Sequence, residues 1–363
     1  MRNMKIGFDA QATRGRQSGL GVFTRSLLAS LKQEIRHPLT LRVYAEEIPD
    51  DRNVNTLRRL RWENWTLPGL SRQDKLDILH VPAFAPAFRK PCPLVVTVHD
   101  IAGMLFKNQI GALSSFYWGK WLPFVIKQAD RIIANSQYTK KDLVTHLKIH
   151  ESKIRVIYPS GHEAFSTTFS KAHIEAVKIR LGIQGRYFLF VGTMEPRKNL
   201  SRILEAFKVI RGSNADFQLV LVGSQAFGHG KYAETLAREH SFGSGAVLPT
   251  GFLDHDSLNA LYCGAQALLF PSLYEGFGIP ILEAMASGCP VLTSTATSTP
   301  EVAGDAAVLV NPYSVDAIAE GMAKLAGGEG LRTGLRQKGF EQIKRFSWKK
   351  AAQEVIEVYK EFL

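Results

Sequence analysis

Short runs of apolar residues alternate with longer amphipathic stretches along almost the entire chain. The runs are rich in β-branched residues and bounded by turn formers, which is typical of strands buried on both faces of a sheet. Eleven such runs occur: MKIGFDA, LTLRVYA, LDILHV, LVVTVH, RIIANS, YFLFVG, FQLVLVG, AVLPTG, ALLFPS, PVLTS and AAVLVNP. Helical patterns such as Val22–Leu31 lie between them. This α/β order predicts parallel sheets covered by helices on both faces.

The alternation of strands and helices starts again at YFLFVG after the first five strands, which predicts two doubly wound, Rossmann-like domains. A length of 363 residues also fits two domains, since one domain usually spans about 100–150 residues. The stretch YPSGHEAFSTTFSK is rich in turn formers and small polar residues, and we place the boundary in it. The predicted domains are residues 1–168 and 169–345. Apolar residues at helical spacing predict a final helix within residues 346–363.

Charge and cysteine usage narrow the class of protein. The chain has 45 Lys and Arg against 33 Asp and Glu, a net charge of +12. This charge favours an anionic partner (nucleic acid, an acidic membrane or a phosphorylated substrate), and an ordinary basic enzyme is the alternative. No apolar stretch has the length of a membrane span, and the N-terminal residues lack the apolar core of a signal peptide. Three cysteines without paired spacing are interpreted as buried thiols, so a cytoplasmic protein is expected.

The segment PSLYEGFGIPILEAMASG, residues 271–288, carries two acids around a glycine-rich bend. Gly276 and Gly278 let the backbone approach a ligand closely, and Pro280 suits the first turn of a helix. The start of that helix would offer unpaired N–H groups to an anion. Glu283 falls about one turn into the helix, where it could accept hydrogen bonds from a ribose-type diol. Glu275 precedes the bend and could bind another part of the same ligand; an acid that merely favours a helix start is the alternative.

A second loop, TMEPRKNL, follows the strand YFLFVG and places Arg197 and Lys198 directly before a helix. Two cations at a helix start oppose the helix dipole, so helix stability does not account for them. An anionic ligand such as a phosphate does. The alternative is a solvated surface pair. We expect Asn199 to cap the helix.

The first half of the chain contains weaker signals. Gly19-Leu20-Gly21 precedes a helix but lacks the spacing and the third glycine of a dinucleotide-binding fingerprint. His99 ends the strand LVVTVH, a favourable position for a reacting group, although a lone histidine is equally compatible with a structural role.

The segment LRRLRWENWTLP, residues 57–68, alternates basic and apolar residues. Trp62 and Trp65 could anchor it at a membrane or acceptor surface. A basic face on an ordinary helix is the alternative.

These motifs together resemble the retaining glycosyltransferases of family 4, which have the GT-B fold of two Rossmann-like domains facing across a cleft. The resemblance spans nearly the whole chain in the expected order: SGLGVFTRSL, VTVHD, IIANSQYTKKDL, VIYPSG, FVGTMEPRKNL, LVLVG, TGFL, LFPSLYEGFGIPILEAMASGCPVLTS, PEVAGDAAVLVNP and FSWKKAA. The element of two glutamates eight residues apart is the most specific. The forms GTMEPRKN and FDA are similar to the mannosyltransferase-like branch that builds bacterial surface polysaccharides.

The resemblance implies a role for each matching position. Arg197 and Lys198 would hold the donor diphosphate, and Glu283 the ribose hydroxyls. The donor sugar and phosphates would contact Glu275 and the backbone of Gly276, Phe277 and Gly278. His99 would lie beside the transferred sugar. The catalytic residues would be His99, Lys198 and Glu275.

Further implied contacts involve the backbone and the domain arrangement. Gly19, Leu20 and Gly21 would close over the phosphates, and Thr250, Gly251 and Phe252 would line the base pocket. The closing helix, residues 346–363, would return to the first domain. One departure is Thr193, where many relatives have arginine, so Arg197 and Lys198 would carry more of the diphosphate contact.

The resemblance therefore implies a metal-independent, retaining transferase without a cofactor. The enzyme would move a sugar, with GDP-mannose favoured over UDP- or ADP-sugars, to a saccharide or lipid-linked acceptor, at or near the inner face of the plasma membrane. The alternatives are a sugar-nucleotide epimerase, a sugar phosphorylase, and a basic nucleic-acid-binding protein. The last has no recognisable binding module in the sequence, and no nucleic-acid partner is expected.

Overall fold

The computed structural model describes residues 3–14, 19–47, 56–83, 89–106, 117–161, 163–213, 215–224, 242–243 and 245–363. The chain divides into two compact units. The first unit comprises residues 1–159 together with 346–363, and the second unit comprises residues 160–345. Residues 160–168, which we expect in the first domain, therefore belong to the second unit.

The first unit is built on a six-stranded parallel sheet in the order β2-β1-β3-β4-β5-β6. Its strands are β1 (Met4–Asp9), β2 (Leu39–Tyr44), β3 (Ile78–Val81), β4 (Leu94–Val98), β5 (Arg131–Ala134) and β6 (Ile154–Val156). Its α-helices are Gly19–Glu34, Thr56–Arg61, Leu67–Gln73, Ala102–Leu105, Leu122–Lys127, Gln137–Leu147 and Trp348–Lys360. Trp62–Thr66 and Tyr117–Trp121 are π-helical, and Gln11–Thr13 and Glu151–Lys153 are 3₁₀ turns.

The C-terminal helix Trp348–Lys360 is part of the first unit's core. Its apolar face, which includes Ala352 and Val355, packs with Ile6 and Phe8 of β1 in one buried cluster. A buried polar contact adds specificity, because the His80 Nδ1 of β3 lies 2.6 Å from the Tyr359 hydroxyl. The final segment is thus tied to the first sheet although 186 residues of the second unit separate them in sequence.

The second unit repeats the architecture with the sheet order β12-β11-β10-β7-β8-β9, again all parallel. Its strands are β7 (Arg186–Val191), β8 (Phe217–Val222), β9 (Val247–Gly251), β10 (Ala267–Phe270), β11 (Val291–Ser294) and β12 (Val308–Val310). Its α-helices are Lys171–Arg180, Leu200–Ser213, His255–Gly264, Ile279–Ala286, Thr299–Ala303, Val315–Gly327 and Glu329–Ile343, and Pro196–Lys198 is a 3₁₀ turn. Fully buried side chains such as Phe188, Leu219 and Leu269 form its core.

All eleven predicted strands are present, and the predicted fold class of two parallel α/β sheets is confirmed. The sequence analysis missed β6, which has only three residues and carries Arg155 at its centre. The three cysteines are free thiols, but only Cys289 is buried as expected, whereas Cys92 and Cys263 are partly exposed.

Candidate functional site

Three loops of the second unit meet at the carboxyl edge of its sheet. They follow β7, β10 and β11, and these strands are neighbours because β10 pairs with both β7 and β11. In open parallel sheets this edge is where ligands bind. The first loop carries Arg197 and Lys198, and the second carries Glu275. The topology thus brings together side chains that are 77 residues apart in sequence.

A compact ion cluster occupies this edge. The Lys198 ammonium donates to Glu275 Oε1 at 2.6 Å, and the Arg197 guanidinium donates to Glu275 Oε2 at 3.1 Å. A second guanidinium nitrogen of Arg197 lies 2.6 Å from Glu195 Oε1. Lys198 and Glu275 are both buried, and the ammonium also lies 5.0 Å from the centre of the Phe270 ring. The cluster is therefore preorganised, with two cations balanced by two acids.

The cluster perturbs the titration of its members in opposite ways. Burial lowers the pKa of the Lys198 ammonium, and the Glu275 carboxylate opposes this shift. Burial would raise the pKa of Glu275, but Lys198 and Arg197 together hold it below its ordinary value. Both charged forms are thus kept by mutual attraction in a poorly solvated place, which is the situation in which removal of one partner costs most.

The alternative of a solvated surface pair does not fit, because Lys198 is buried, and the binding of an anionic ligand stays a prediction. Glu275 and Glu195 pair with the two cations within the protein, so a structural role for Arg197 and Lys198 is satisfied without a ligand. The expected capping role of Asn199 is also absent. Its backbone is left-handed, and its side-chain amide donates to the carbonyls of Pro271 and Pro312, which ties the loops together.

The glycine-rich bend after Glu275 is held by the loop that follows β11. Glu275 N–H donates to the Thr297 hydroxyl, and the Ser298 hydroxyl donates to the carbonyls of Glu275 and Phe277. Gly278 then adopts φ 113°, a left-handed conformation that favours glycine, and the helix Ile279–Ala286 begins. Sequence reasoning missed Thr297 and Ser298, for which the motif itself gives no signal.

Glu283 lies on this helix, as predicted, and is held by a residue that the sequence analysis did not single out. The Tyr262 hydroxyl donates to Glu283 Oε2 at 2.9 Å. Burial raises the pKa of Glu283 to about 7, and the hydrogen bond from Tyr262 acts in the opposite direction. Glu283 therefore changes charge close to neutral pH.

The remaining predicted residues of the second unit lie at the ends of β7 and β9. Thr250 and Gly251 end β9, and Phe252 follows with an exposed ring. Gly251 adopts a left-handed φ of 74°, which turns the chain at the carboxyl edge of the sheet. Thr193, the position of the missing arginine, is exposed. Their predicted contacts with a ligand stay predictions.

In the first unit, His99 follows β4 at the carboxyl edge of that sheet. Its Nε2 lies 2.8 Å from the carbonyl oxygen of Pro82, which can only accept, so Nε2 carries the proton. The Phe23 ring packs edge-on against the imidazole at 4.4 Å. Burial lowers the pKa of His99, which keeps the ring neutral with Nδ1 as an acceptor.

Two predictions for the first unit need correction. Gly19, Leu20 and Gly21 are not a loop before the helix, because they form the first turn of the helix Gly19–Glu34 itself. Trp62 is not an interfacial anchor, because its ring is 2% exposed and its Nε1 donates to the buried Asp9 carboxylate at 3.0 Å. Trp65, three residues later, is 70% exposed.

The basic stretch around Trp65 is less free than its sequence indicates. Arg58 pairs with Glu46, and Arg59 pairs with the buried Glu63 and contacts the Tyr117 hydroxyl. Arg61 is exposed. Among the described residues, no helix is long and apolar enough to cross a membrane. Within the same ranges, no group of three His, Cys, Asp or Glu side chains is arranged to hold a metal ion.

Comparison with known proteins agrees with this architecture. A family model described as glycosyl transferases group 1 matches residues 174–342, and one described as glycosyltransferase family 4 matches residues 20–160. The sucrose-phosphate synthase of Thermosynechococcus elongatus has a similar structure, with a TM-score of 0.76 at 17% identity, covering 99% of this chain and 98% of that chain. This last likeness concerns the fold alone.

Two curated relatives from Escherichia coli are similar in sequence. The O-antigen chain mannosyltransferase B is 36% identical over 184 residues, covering 50% of this chain and 48% of the relative. The serotype-specific mannosyltransferase WbdA is 30% identical over 283 residues, covering 77% of this chain and 34% of the relative. The matches thus span about half the length of the first relative and about a third of the second.

Two Rossmann-like sheets, with a cation–carboxylate cluster at the carboxyl edge of the second, define a protein of the GT-B class. The matched family regions lie one in each unit and together span most of the chain. Over most of its length the chain thus matches glycosyltransferase families, family 4 in the first unit and group 1 in the second.

Proposed function

We propose that the protein transfers a sugar, with mannose favoured, from a nucleoside-diphosphate donor to a saccharide or lipid-linked saccharide. The observation that carries this proposal is the buried cluster of Arg197, Lys198 and Glu275 beside the helix that bears Glu283. The mannosyltransferase names of the two E. coli relatives support the choice of sugar and a place in surface-polysaccharide synthesis. GDP-mannose is the donor we favour.

The donor's diphosphate would bind Arg197 and Lys198. Lys198 has three N–H donors and uses one toward Glu275, and the Arg197 fork can also serve more than one anion. In the first turn of the helix Ile279–Ala286, Pro280 has no N–H and the Ile281 N–H donates to the Gly278 carbonyl at 3.0 Å, so the backbone there can add the Ile279 N–H. Because both cations are already fixed by Glu275, they need little reorganisation as negative charge develops on the leaving diphosphate. A metal ion is not part of the proposed chemistry.

We propose a same-face reaction that retains the configuration of the sugar. The bond between the sugar carbon and the phosphate oxygen breaks as the acceptor oxygen attaches to that carbon. The acceptor's hydroxyl proton passes to the leaving phosphate oxygen, so no separate base is required. Glu275 and His99 are assigned to the transferred sugar, and Glu283 to the ribose hydroxyls.

A thermal-shift experiment with different nucleotides should identify the donor that the protein binds. A ligand that binds only the folded protein raises the melting midpoint in proportion to the logarithm of its concentration over its Kd. We expect GDP and GDP-mannose to raise the midpoint more than UDP, ADP or their sugars at equal concentration. An unchanged midpoint with every nucleotide would contradict the proposed donor class, and a larger shift with UDP would contradict the choice of GDP.

The charge distribution supports an anionic acceptor or membrane for the first unit. That unit holds 28 Lys and Arg against 16 Asp and Glu, a net +12, whereas the second unit holds 17 of each. The whole net charge of the chain therefore belongs to the first unit. Trp65 is exposed, the Tyr117–Trp121 segment contacts Arg59, and the helix that follows this segment exposes Phe124. We propose peripheral binding to anionic lipid through this face.

Replacing Arg61 and Trp65 with serine should weaken sedimentation with vesicles that contain phosphatidylglycerol. Each basic residue near an anionic surface contributes about 1 kcal/mol, so the loss of Arg61 alone should reduce binding about fivefold. The matched control replaces Lys208 and Tyr313, an exposed cation and an exposed aromatic of the neutral second unit. Equal loss in both double variants, or no loss in either, would argue against this face.

A further inference from the structure

The carboxylate of Glu283 is held from one side by a buried tyrosine. Tyr262 lies on the helix His255–Gly264 with no exposed surface, and its hydroxyl donates to Glu283 Oε2 at 2.9 Å. Within the described ranges, this is the one side-chain hydrogen bond that the Glu283 carboxylate makes. Among the described residues no donor to Oε1 is found, so Oε1 can accept a hydrogen bond from a ligand.

The distance between the two helices is fixed independently of this contact. The Ser287 hydroxyl donates to the Glu283 carbonyl at 2.9 Å and lies 2.7 Å from the side-chain amide of Asn259. Asn259 is on the same helix as Tyr262, three residues before it in sequence. Asn259 and Ser287 are both buried. Because this second link joins the same pair of helices, the tyrosine hydroxyl meets the carboxylate at a preset position.

We propose that Tyr262 is a positioning residue for nucleotide binding, because its hydroxyl fixes one oxygen of Glu283 and so orients the other toward the ligand. The inference rests on the proposed function, in which Glu283 accepts hydrogen bonds from the ribose. A hydrogen bond to a charged group is stronger than one between neutral groups. Tyr262 acts on the ligand through Glu283 and has no assigned contact with it.

The same hydrogen bond counteracts the effect of burial on the pKa of Glu283. Burial raises the pKa of Glu283 to about 7, and the bond from Tyr262 lowers it because it stabilises the ionised form. The titratable groups nearby are Tyr262 and, next to it, Cys289; burial raises both their pKa values, so both are neutral at pH 7. From the other helices and strands packed here, no charged group among the described residues acts on Glu283.

The sign of the pH effect follows from these groups. The protonated acid has lost acceptor capacity, so the affinity for a nucleotide should fall as the pH drops through about 7. Without the tyrosine hydroxyl, the ionised form is less stable and the pKa of Glu283 rises further. Tyr262→Phe should therefore shift the midpoint of the affinity–pH curve upward and weaken GDP binding at pH 7 about tenfold.

Two measurements test this inference. The first is calorimetric titration of GDP between pH 5.5 and about 9 for wild type, Tyr262→Phe, Glu283→Gln and Tyr187→Phe. Tyr187 is the matched control, because it is equally buried and donates to the Leu261 carbonyl of the same helix at 2.7 Å, without contact to Glu283. We expect a raised midpoint in Tyr262→Phe, an unchanged midpoint in Tyr187→Phe, and no pH dependence from this group in Glu283→Gln.

The second measurement needs no ligand: the carboxyl ¹³C chemical shift of Glu283, assigned with Glu283→Gln, reports its pKa directly. A higher pKa in Tyr262→Phe than in wild type supports the inference. An unchanged pKa together with an unchanged GDP midpoint overturns it while leaving the proposed function intact. If GDP does not bind the wild type at all, the proposed function fails and the positioning role fails with it.

Discussion

Replacing Lys198 with alanine is expected to lower kcat/KM for sugar transfer by about 100-fold or more. The ammonium lies in a poorly solvated place, where it would stabilise the negative charge that grows on the leaving diphosphate. Arg197→Ala should also reduce transfer, and by a smaller factor because Arg197 is less buried than Lys198. The measurement is steady-state transfer from GDP-mannose at varied donor concentration.

A loss of folding must be separated from this loss of catalysis. Lys198→Ala leaves the buried Glu275 with one cation partner, and breaking a buried pair costs about 3–5 kcal/mol. The double variant Lys198→Met with Glu275→Gln removes both charges of the pair and should keep the melting midpoint while transfer stays low. Lys208→Ala, an exposed lysine of the helix that follows, is the control and should be fully active. Near-normal turnover in the folded double variant would rule out the proposed diphosphate site.

The fold could be predicted from sequence because its main signal is local. Strands of a parallel sheet read as short apolar runs, and eleven of the twelve strands carry that signature, including the partly exposed edge strands β2, β9 and β12. β6 does not, since an edge strand of three residues with a central arginine needs little burial. The unit boundary at Pro159 depends on which sheet residues 160–168 pack against, and composition carries no information about that choice.

The site could be predicted in part because its residues lie in loops directly after predicted strands. Loops at the carboxyl ends of parallel strands converge, so Arg197, Lys198 and Glu275 could be expected at one edge. What the sequence could not give was their pairing with one another, because it depends on the strand order β7-β10-β11. The error at Trp62 is of the same kind: Trp62 and Trp65 look equivalent in a basic stretch, but only the fold places Asp9 beside the first.

The two acids should affect nucleotide binding in opposite ways. Glu283→Ala removes the proposed ribose partner and should weaken GDP binding about 10- to 100-fold, the range expected for hydrogen bonds to a charged group. Glu275→Gln keeps the shape of the side chain but removes the negative charge beside Arg197 and Lys198. GDP should therefore bind this variant at least as tightly as wild type, while sugar transfer falls because the cations lose their fixed position.

Calorimetric titration of GDP into wild type, Glu275→Gln and Glu283→Ala, with Glu301→Gln of the neighbouring helix as the control, tests the central claim most directly. The claim is that the carboxyl edge of the second sheet binds the diphosphate through the cations and the ribose through Glu283. It predicts retained or tighter binding in Glu275→Gln, binding weakened at least tenfold in Glu283→Ala, and no change in the control. Equal losses in the two acid variants, or tight binding in Glu283→Ala, would contradict it.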